Sequence, residues 1–375
     1  MRIAILSVSE KGKKLSSRLK TLLDECPAII KVATFHKNIK DNINLIFDDN
    51  SNNNMSYDAI IGIMATGILI RNIADKIRDK TTDPAIISMD DNGKYVISLV
   101  SGHLGGANEL TKKIAKLIES EPVITTATDT SGKIGIDTLA SKLYWEILNK
   151  NEILAFNKAI LEEKSIEIYI NVSKKGKIGY MDDIKDYLKN QEKNTLEIID
   201  LKNTDLPIKD NIQSKIFSDY NRYNESSYIN SNIIANFDDH KMFIKSKKIV
   251  LGIGARANIS KEKVITAIQT AMSNLNLTIE RIDCIATADI KKDEKGILEA
   301  VKEIDKPLNI VDIDEIREFK SPDISNSEFV QEKFDIPGVA EPTAIIAAKK
   351  GRLDSKLIHK KLAIDGVTVA VAVSK

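Results

Sequence analysis

Residues 58–129 read DAIIGIMATGILIRNIADKIRDKTTDPAIISMDDNGKYVISLVSGHLGGANELTKKIAKLIESEPVITTATD, and the alternation inside this stretch decides the fold. Apolar runs of strand length at Ala59–Met64, Ala85–Met89, Tyr95–Val100 and Pro122–Thr126 are interleaved with helical patterns at Ile68–Ile77 and Ala107–Ile118. Short, nearly unbroken apolar strands separated by helices predict an α/β sheet covered on both faces. Chemistry in such a sheet sits in the loops at the strand ends. Those loops carry Thr66-Gly67, Arg71, Thr81-Thr82-Asp83, Asp90-Asp91, Ser101 through Gly106 and Thr125 through Asp129. That is more polar chemistry than chain reversal requires.

Toward the N-terminus, Arg2–Ser7 reads as a strand, Ser9-Glu10-Lys11-Gly12 as a turn and Lys31–Phe35 as a second strand. Between them Leu15, Leu19, Leu22 and Leu23 recur at helical spacing and predict a helix over Lys13–Leu23. Asp48–Asn54 reads as a polar loop. Beyond the central stretch, Ile136–Leu148 reads as a helix with Trp145 as a packing residue, and Ile166–Val172 as a strand followed by a turn at Lys174–Lys177. Lys202–Lys248 lacks strong periodicity and is expected to hold the edge of a small module and a linker, with one or two strands around Ser226–Ile234. A second regular pattern begins at Lys248. It has strands at Ile249–Ile253, Ile282–Thr287, Leu308–Val311 and Val367–Val373, and helices at Ser260–Leu275, Glu294–Ile304, Ile313–Phe319 and Gly338–Lys349. The expected organisation is an N-terminal α/β sheet domain (1–134), a small α+β middle module with linker (135–247) and a separate C-terminal α/β domain (248–375), consistent with 375 residues.

A formal net charge of +1 argues against nucleic acid as the main partner. Cys26 and Cys284, the only two cysteines, suit neither a disulfide framework nor a zinc site and point to a reducing cytoplasm. The N-terminal MRIAILSVSEKGKKL has no signal-peptide pattern, and no apolar run approaches the length of a membrane span.

Three motifs stand out. Gly252-Ile253-Gly254-Ala255-Arg256-Ala257 follows a strand and fits the G-x-G-x-x-G/A pattern of dinucleotide sites. The expected helix, however, starts about three residues late, and Asp289 comes about ten residues late for the ribose-binding acid. Anion binding at that helix start, with Arg256 as a bidentate clamp, is the stronger reading. Second, Ser101-Gly102-His103-Leu104-Gly105-Gly106 places one of only four histidines beside glycines at a helix start. It offers a group that titrates near neutrality next to bare N–H donors; the competing reading is a loop histidine bonded for structure, with glycines supplying positive φ. No Gly-x-Ser-x-Gly elbow supports a serine nucleophile. Third, Thr125-Thr126-Ala127-Thr128-Asp129 ends a strand with hydroxyls and a carboxylate, whereas Asp91-Asn92-Gly93 reads as an ordinary turn. The carboxylates lack metal-ligand spacing. Arg71, beside Thr66-Gly67, is a candidate carboxylate clamp.

The run from Gly62 to Thr111 together with PVITTATD resembles the N-terminal domain of the cobalamin biosynthesis protein G family, the cobalt-precorrin 5A hydrolases. GIGARANIS, IATADIKKDEKGI and EFVQEKFDIPGVAEPTAII resemble that family's C-terminal domain, with Ala255-Arg256-Ala257 where the family more often has Cys-Arg and a basic residue. The resemblance covers Arg2 to about Gly135 and Lys248 to Ser374. It implies opening of the δ-lactone of cobalt-precorrin 5A and loss of C20 with its methyl group as acetaldehyde, giving cobalt-precorrin 5B. The implied partner is a small-molecule cobalt-tetrapyrrole, with the cobalt arriving in the substrate. No cofactor or protein-bound metal is expected, and no nucleic acid or membrane; there is room for transient contact with other enzymes of the pathway and for a homodimer. A tetrapyrrole carrier or pathway scaffold, and a nicotinamide-linked oxidoreductase, are the alternatives.

For that reaction the residues suggest His103 as general base or acid, Asp129 or Asp83 as the group orienting it, and Gly105 and Gly106 N–H groups as oxyanion donors. Thr66, Gly67, Arg71, Gly102, Thr126, Thr128, Gly252, Gly254 and Arg256 complete the expected substrate contacts. With the last three as anchors, the tetrapyrrole is expected in a cleft between the N- and C-terminal domains.

Overall fold

The computed structural model describes residues 1–47, 57–170, 180–189, 195–200, 231–349 and 354–374. Among these residues the strands form three sheets, and the fold is mixed α/β throughout. The first sheet holds β1 (Arg2–Ser7), β2 (Lys31–His36), β3 (Ala59–Ile63), β4 (Ala85–Met89), β5 (Tyr95–Val100) and β6 (Glu121–Val123). Its order is β2-β1-β3-β4-β5-β6; the first four in that order are parallel, β5 turns antiparallel to β4, and β6 runs parallel to β5. The second sheet holds β7 (Trp145–Ile147), β8 (Ile166–Ile170), β9 (Leu196–Asp200), β10 (Ile233–Phe237) and β11 (His240–Ser246), in the order β7-β11-β10-β8-β9. The third holds β12 (Ile249–Ala255), β13 (Cys284–Ala288), β14 (Leu308–Val311), β15 (Ser355–Ile364) and β16 (Val367–Ser374), in the order β14-β13-β12-β16-β15.

These elements pack as two compact units, one of residues 1–101, 109–123 and 248–375, the other of residues 102–108 and 124–247. In the first unit the central strands β3 and β4 are buried along their whole length, which is why they read as continuous apolar runs. The N- and C-terminal sheets of this unit are tied by Arg2, whose Nε and Nη2 donate to the two oxygens of Asp323 at 2.8 and 2.6 Å. Lys356 reaches Asp58 at 3.0 Å, and the Lys360 N–H donates to the Pro27 carbonyl. The second unit has its own core, built on Phe156, Ile160, Ile168, Ile184, Ile233 and Ile244.

Several sequence expectations shift. The first helix spans Glu10–Asp24 rather than beginning at Lys13, because Ser9 caps it by accepting the Gly12 N–H at 2.9 Å. The helix expected over Ile68–Ile77 runs Thr66–Ile73, and the strand expected over Pro122–Thr126 is Glu121–Val123. The helix expected over Ile136–Leu148 stops at Lys142: Tyr144 adopts φ +55°, and Trp145–Ile147 becomes strand β7 against β11. Trp145 does pack inward, with its Nε1 donating to the Tyr180 hydroxyl at 2.7 Å. The region read as lacking periodicity contains the β10–β11 hairpin, turned by Asp238-Asp239 with Asp238 at φ +45°. Asp48–Asn54, Lys174–Lys177 and Ser226–Asn230 lie outside the described residues. No described helix is long and apolar enough to cross a membrane.

Gly252 and Gly254 stand inside β12, not in a loop. A Cβ on Gly252 would meet the Ala340 carbonyl at 1.9 Å and the Ala344 nitrogen at 2.8 Å, so the missing side chain lets helix Ala340–Ala348 lie directly on the strand. Gly67, in contrast, would offer a Cβ only a 3.5 Å contact with Arg71 Nη1. Denaturation followed by circular dichroism should therefore separate the two glycines. Gly252→Ala is expected to lose about 3 kcal/mol or more, since backbone must move. Gly67→Ala is expected to gain about 0.5–1 kcal/mol, as replacing a helical glycine does.

Candidate active site

Strand β5 ends at Val100, and Ser101, in the left-handed region at φ +57°, turns the chain into the loop that carries His103. The Gly106 N–H closes that loop on the His103 carbonyl at 3.0 Å, and the Asn108 N–H does so on the Gly102 carbonyl. Leu104 packs into the core of the second unit and anchors the loop beside the histidine. Around the ring, three short segments of the same unit converge: the helix Ala127–Thr130, the helix Ile136–Lys142 and the helix Ile153–Leu161.

The imidazole lies between two carboxylates. Nδ1 is 3.0 and 3.1 Å from the oxygens of Asp137, and Nε2 is 3.1 Å from Asp129 Oδ2 and 3.1 Å from Thr128 Oγ1. The His103 side chain is 10% exposed and that of Asp137 6%, against 19% for Asp129, so Asp129 is the more open of the two acids. Each carboxylate has amide support: Asn108 Nδ2 donates to Asp129 at 2.8 Å and to Thr126 Oγ1 at 3.0 Å, and Asn157 Nδ2 donates to Asp137 at 3.0 Å. The Thr138 N–H adds a further bond to Asp137.

Burial pulls the His103 pKa down, but the hydrogen bonds and charges of Asp129 and Asp137 outweigh it and push the value up to about 9. For Asp137 burial acts upward, and the His103 ring with Asn157 and the Thr138 N–H more than offset it, holding the carboxyl below its usual range. At neutral pH the ring is an imidazolium with both N–H groups donating to carboxylates. The ring therefore sits as a positive group held by two acids, one on each nitrogen.

The other expected site residues fall as follows. Asp129 is at the ring, but Asp83 is not its second partner; both Asp83 oxygens accept the Arg78 N–H, and Asp137 takes the orienting role. Thr128 touches the ring and Thr126 supports Asn108. Gly102 fits under Asn108, where a Cβ would come within 2.8 Å of Asn108 Oδ1. The Gly106 N–H is committed within its own turn, which leaves Gly105 as the donor with no partner among the described residues. In the first unit, Thr66 bonds Ser88 at 3.0 Å, and Arg71, exposed, reaches the Gly67 carbonyl at 3.3 Å. Gly252 and Gly254 lie in register with β16 as part of its ladder, so the glycine-rich turn after a strand that the dinucleotide pattern requires is not formed by them. Arg256, exposed just past β12, remains available. No group of three or more His, Cys, Asp or Glu among the described residues is arranged to hold a metal ion. Sequence reading missed Asp137, Asn108, Asn157 and Gly135; of these only Asn108, two residues past Gly106, had a local signal.

Fold and site together define an α/β protein with an acid-flanked histidine in a glycine loop. Residues 51–129 match the family model described as Cobalamin synthesis G N-terminal, and residues 249–372 match Cobalamin synthesis G C-terminus. A Methanocaldococcus jannaschii protein named "Probable cobalt-precorrin-5A hydrolase" is 34% identical over 378 residues, covering 99% of this chain and 99% of its own length. The Priestia megaterium protein named cobalt-precorrin-5A hydrolase is 26% identical over 84% of this chain and 79% of its own length. The crystal structure of a cobalamin biosynthesis protein G homolog from Sulfolobus solfataricus matches with a TM-score of 0.55 at 25% identity, over 100% of this chain and 97% of that one. The chain belongs to the cobalamin synthesis G family.

A histidine pKa raised on folding contributes stability that is complete below the free value of 6.5 and is lost as pH rises through about 9. The contribution amounts to about 3 kcal/mol. Trp145, the only tryptophan, lies in the same unit and reports its unfolding. Fluorescence-monitored denaturation should show the stability difference between wild type and His103→Gln shrinking by about that amount between pH 6.5 and 10. A difference that stays flat with pH would mean that the ring is neutral in the native state.

Proposed function

We propose that the chain is a hydrolase of cobalamin biosynthesis that opens the ring lactone of cobalt-precorrin 5A, releases acetaldehyde and leaves cobalt-precorrin 5B. Membership of the cobalamin synthesis G family and the names of its relatives support the reaction. The observation that supports the chemistry is the His103 ring between Asp129 and Asp137. Cobalt enters inside the substrate, and a cytoplasmic location with no cofactor of the protein's own belongs to the same proposal.

In this reading Asp129, the more exposed carboxylate, takes a proton from water as its oxygen adds to the lactone carbonyl. The Gly105 N–H faces the oxygen on which charge develops. The His103 imidazolium gives its Nε2 proton to the ring oxygen as it leaves, which becomes the hydroxyl on C20. Loss of that hydroxyl proton then allows the bond from C20 to the macrocycle to break. C20 departs with its methyl group as acetaldehyde, while the electron pair stays with the macrocycle, which takes up a proton. Asp137 holds the positive ring in place during the transfer.

Purified protein incubated with cobalt-precorrin 5A, with acetaldehyde followed through alcohol dehydrogenase and NADH, tests the proposal. Wild type is expected to release one acetaldehyde per tetrapyrrole, and His103→Ala to lower the rate by about 10²–10⁴-fold. Near wild-type turnover by His103→Ala would remove the ring from the chemistry. Tight corrinoid binding without acetaldehyde would mark a carrier instead.

A further inference from the structure

Gly135 is a glycine with no conformational reason to be one. Its φ of −70° and ψ of 150° are ordinary for any residue. What it lacks is room: a Cβ there would lie 2.7 Å from Asp137 Oδ1, 3.0 Å from Asn157 Oδ1 and 3.4 Å from His103 Cε1. One missing methyl group thus faces the ring, the acid that orients it and the amide that supports that acid.

Asn157 makes the complementary contribution. Its Oδ1 accepts the Ile136 N–H at 2.9 Å, an unpaired donor at the start of helix Ile136–Lys142, and its Nδ2 donates to Asp137 Oδ1 at 3.0 Å. A carboxamide is suited to this place because it presents one acceptor and donors on a single plane. Aspartate would set a second carboxylate against Asp137, and leucine would satisfy neither neighbour. We propose that Asn157 and Gly135 are positioning residues of the His103 site: Asn157 clamps Asp137 against the imidazole from the core side, and Gly135 keeps clear the space in which ring, acid and amide meet. Neither touches the reacting atoms. Both act through Asp137 on the direction in which Nε2 points. The consequence for activity rests on the hydrolase reading; the consequence for the ring does not.

The charged groups facing the imidazole are Asp129 from the helix Ala127–Thr130 and Asp137 from the helix Ile136–Lys142, with Thr128, Asn108 and Asn157 as neutral neighbours. Lys133, on the intervening loop, spends its ammonium on the Ile160 and Leu161 carbonyls and on Glu163. A change in the titration of His103 after substitution at position 135 or 157 therefore reports on Asp137 and Asp129.

With only four histidines, the Cε1 resonances of the full-length protein labelled in histidine can be followed one by one, and His103→Gln assigns the signal in question. Gly135→Ala and Asn157→Ser are both expected to lower the His103 midpoint by at least one pH unit toward 6.5, while the other three histidines keep their wild-type midpoints. The basic limb of the kcat/KM profile for acetaldehyde release should move down by the same interval, with KM changing less than kcat. If Asn157→Ser fails to fold, Gly135→Ala, which removes no hydrogen bond, carries the test alone. A His103 midpoint unchanged or raised in a folded variant overturns the proposal, because a merely structural amide leaves the ion group intact. Wild type that shows the shifted midpoint yet releases no acetaldehyde would sink the hydrolase reading and leave the positioning assignment standing.

Discussion

A positive ring held between two carboxylates at 3.0–3.1 Å is the interaction on which the second unit's polar interior depends. Were His103 neutral, two largely buried carboxylates would face each other across it with only neutral donors to offset them, and burying unpaired charge is costly. With the proton on, the group carries one net negative charge shared among several donors: Asn108 Nδ2 on one acid, Asn157 Nδ2 and the Thr138 N–H on the other. Charge-assisted bonds of this kind are the stronger sort, and every one of them restricts a backbone segment. The loop 102–108, the helix after Thr126 and the helix after Gly135 are thereby fixed to one another through side chains. Leu104, in the hydrophobic core one residue past the histidine, fixes them to the rest of the unit.

The same arrangement sets what the ring can do. A histidine that titrates near neutrality serves as acid or base with equal ease; this one, held by two acids, is pushed up to about 9 and keeps its proton at neutral pH. Exposure distinguishes the two carboxylates, since Asp129 is about three times as open as Asp137. Environment rather than residue type thus sets the two carboxylates apart.

Much of the fold was legible because the central strands are buried on both faces and so announce themselves as unbroken apolar runs, as β3 and β4 do. Legibility fell where periodicity is short or interrupted. Strand β7 has three residues and follows a left-handed Tyr144, so Trp145 and Ile147 continued a helical pattern on paper. The β10–β11 turn uses Asp238-Asp239 instead of the Asn-Gly or Asp-Gly pairs that mark hairpins. Strand β15 shifts register on either side of His359 and loses the alternation that would identify it. In the site, His103 and Asp129 were visible because each sits in a polar loop at a strand end. Asp137 was not: 34 residues beyond His103, it looks like any acid in the first turn of a helix. Asn157 lies in the middle of a helix, where sequence gives an amide no address.

The glycine pattern at β12 shows how one spacing serves two physical ends. Gly252 and Gly254 are two apart and so face the same side of their strand. On that side lie the Ala340 carbonyl and the Ala344 nitrogen for one, and Val339 for the other. The helix that brings them is itself made of small residues, Ala340, Thr343, Ala344, Ala347 and Ala348, buried along nearly its whole length. Side chains have been removed from both partners, so helix backbone and strand backbone come together with nothing between them. A phosphate-binding turn needs the same absence of Cβ, but with the backbone N–H groups left free for the anion. In β12 strand β16 pairs along both glycines and β13 pairs as far as Gly252. The spacing of glycines therefore reports close approach, and only the hydrogen bonds of the neighbours tell whether a ligand or a helix makes it. The first exposed side chain beyond the ladder is that of Arg256, whose backbone N–H donates to the Gly366 carbonyl at 2.9 Å and whose stem lies over Gly366, where a Cβ would meet its Cδ at 3.1 Å.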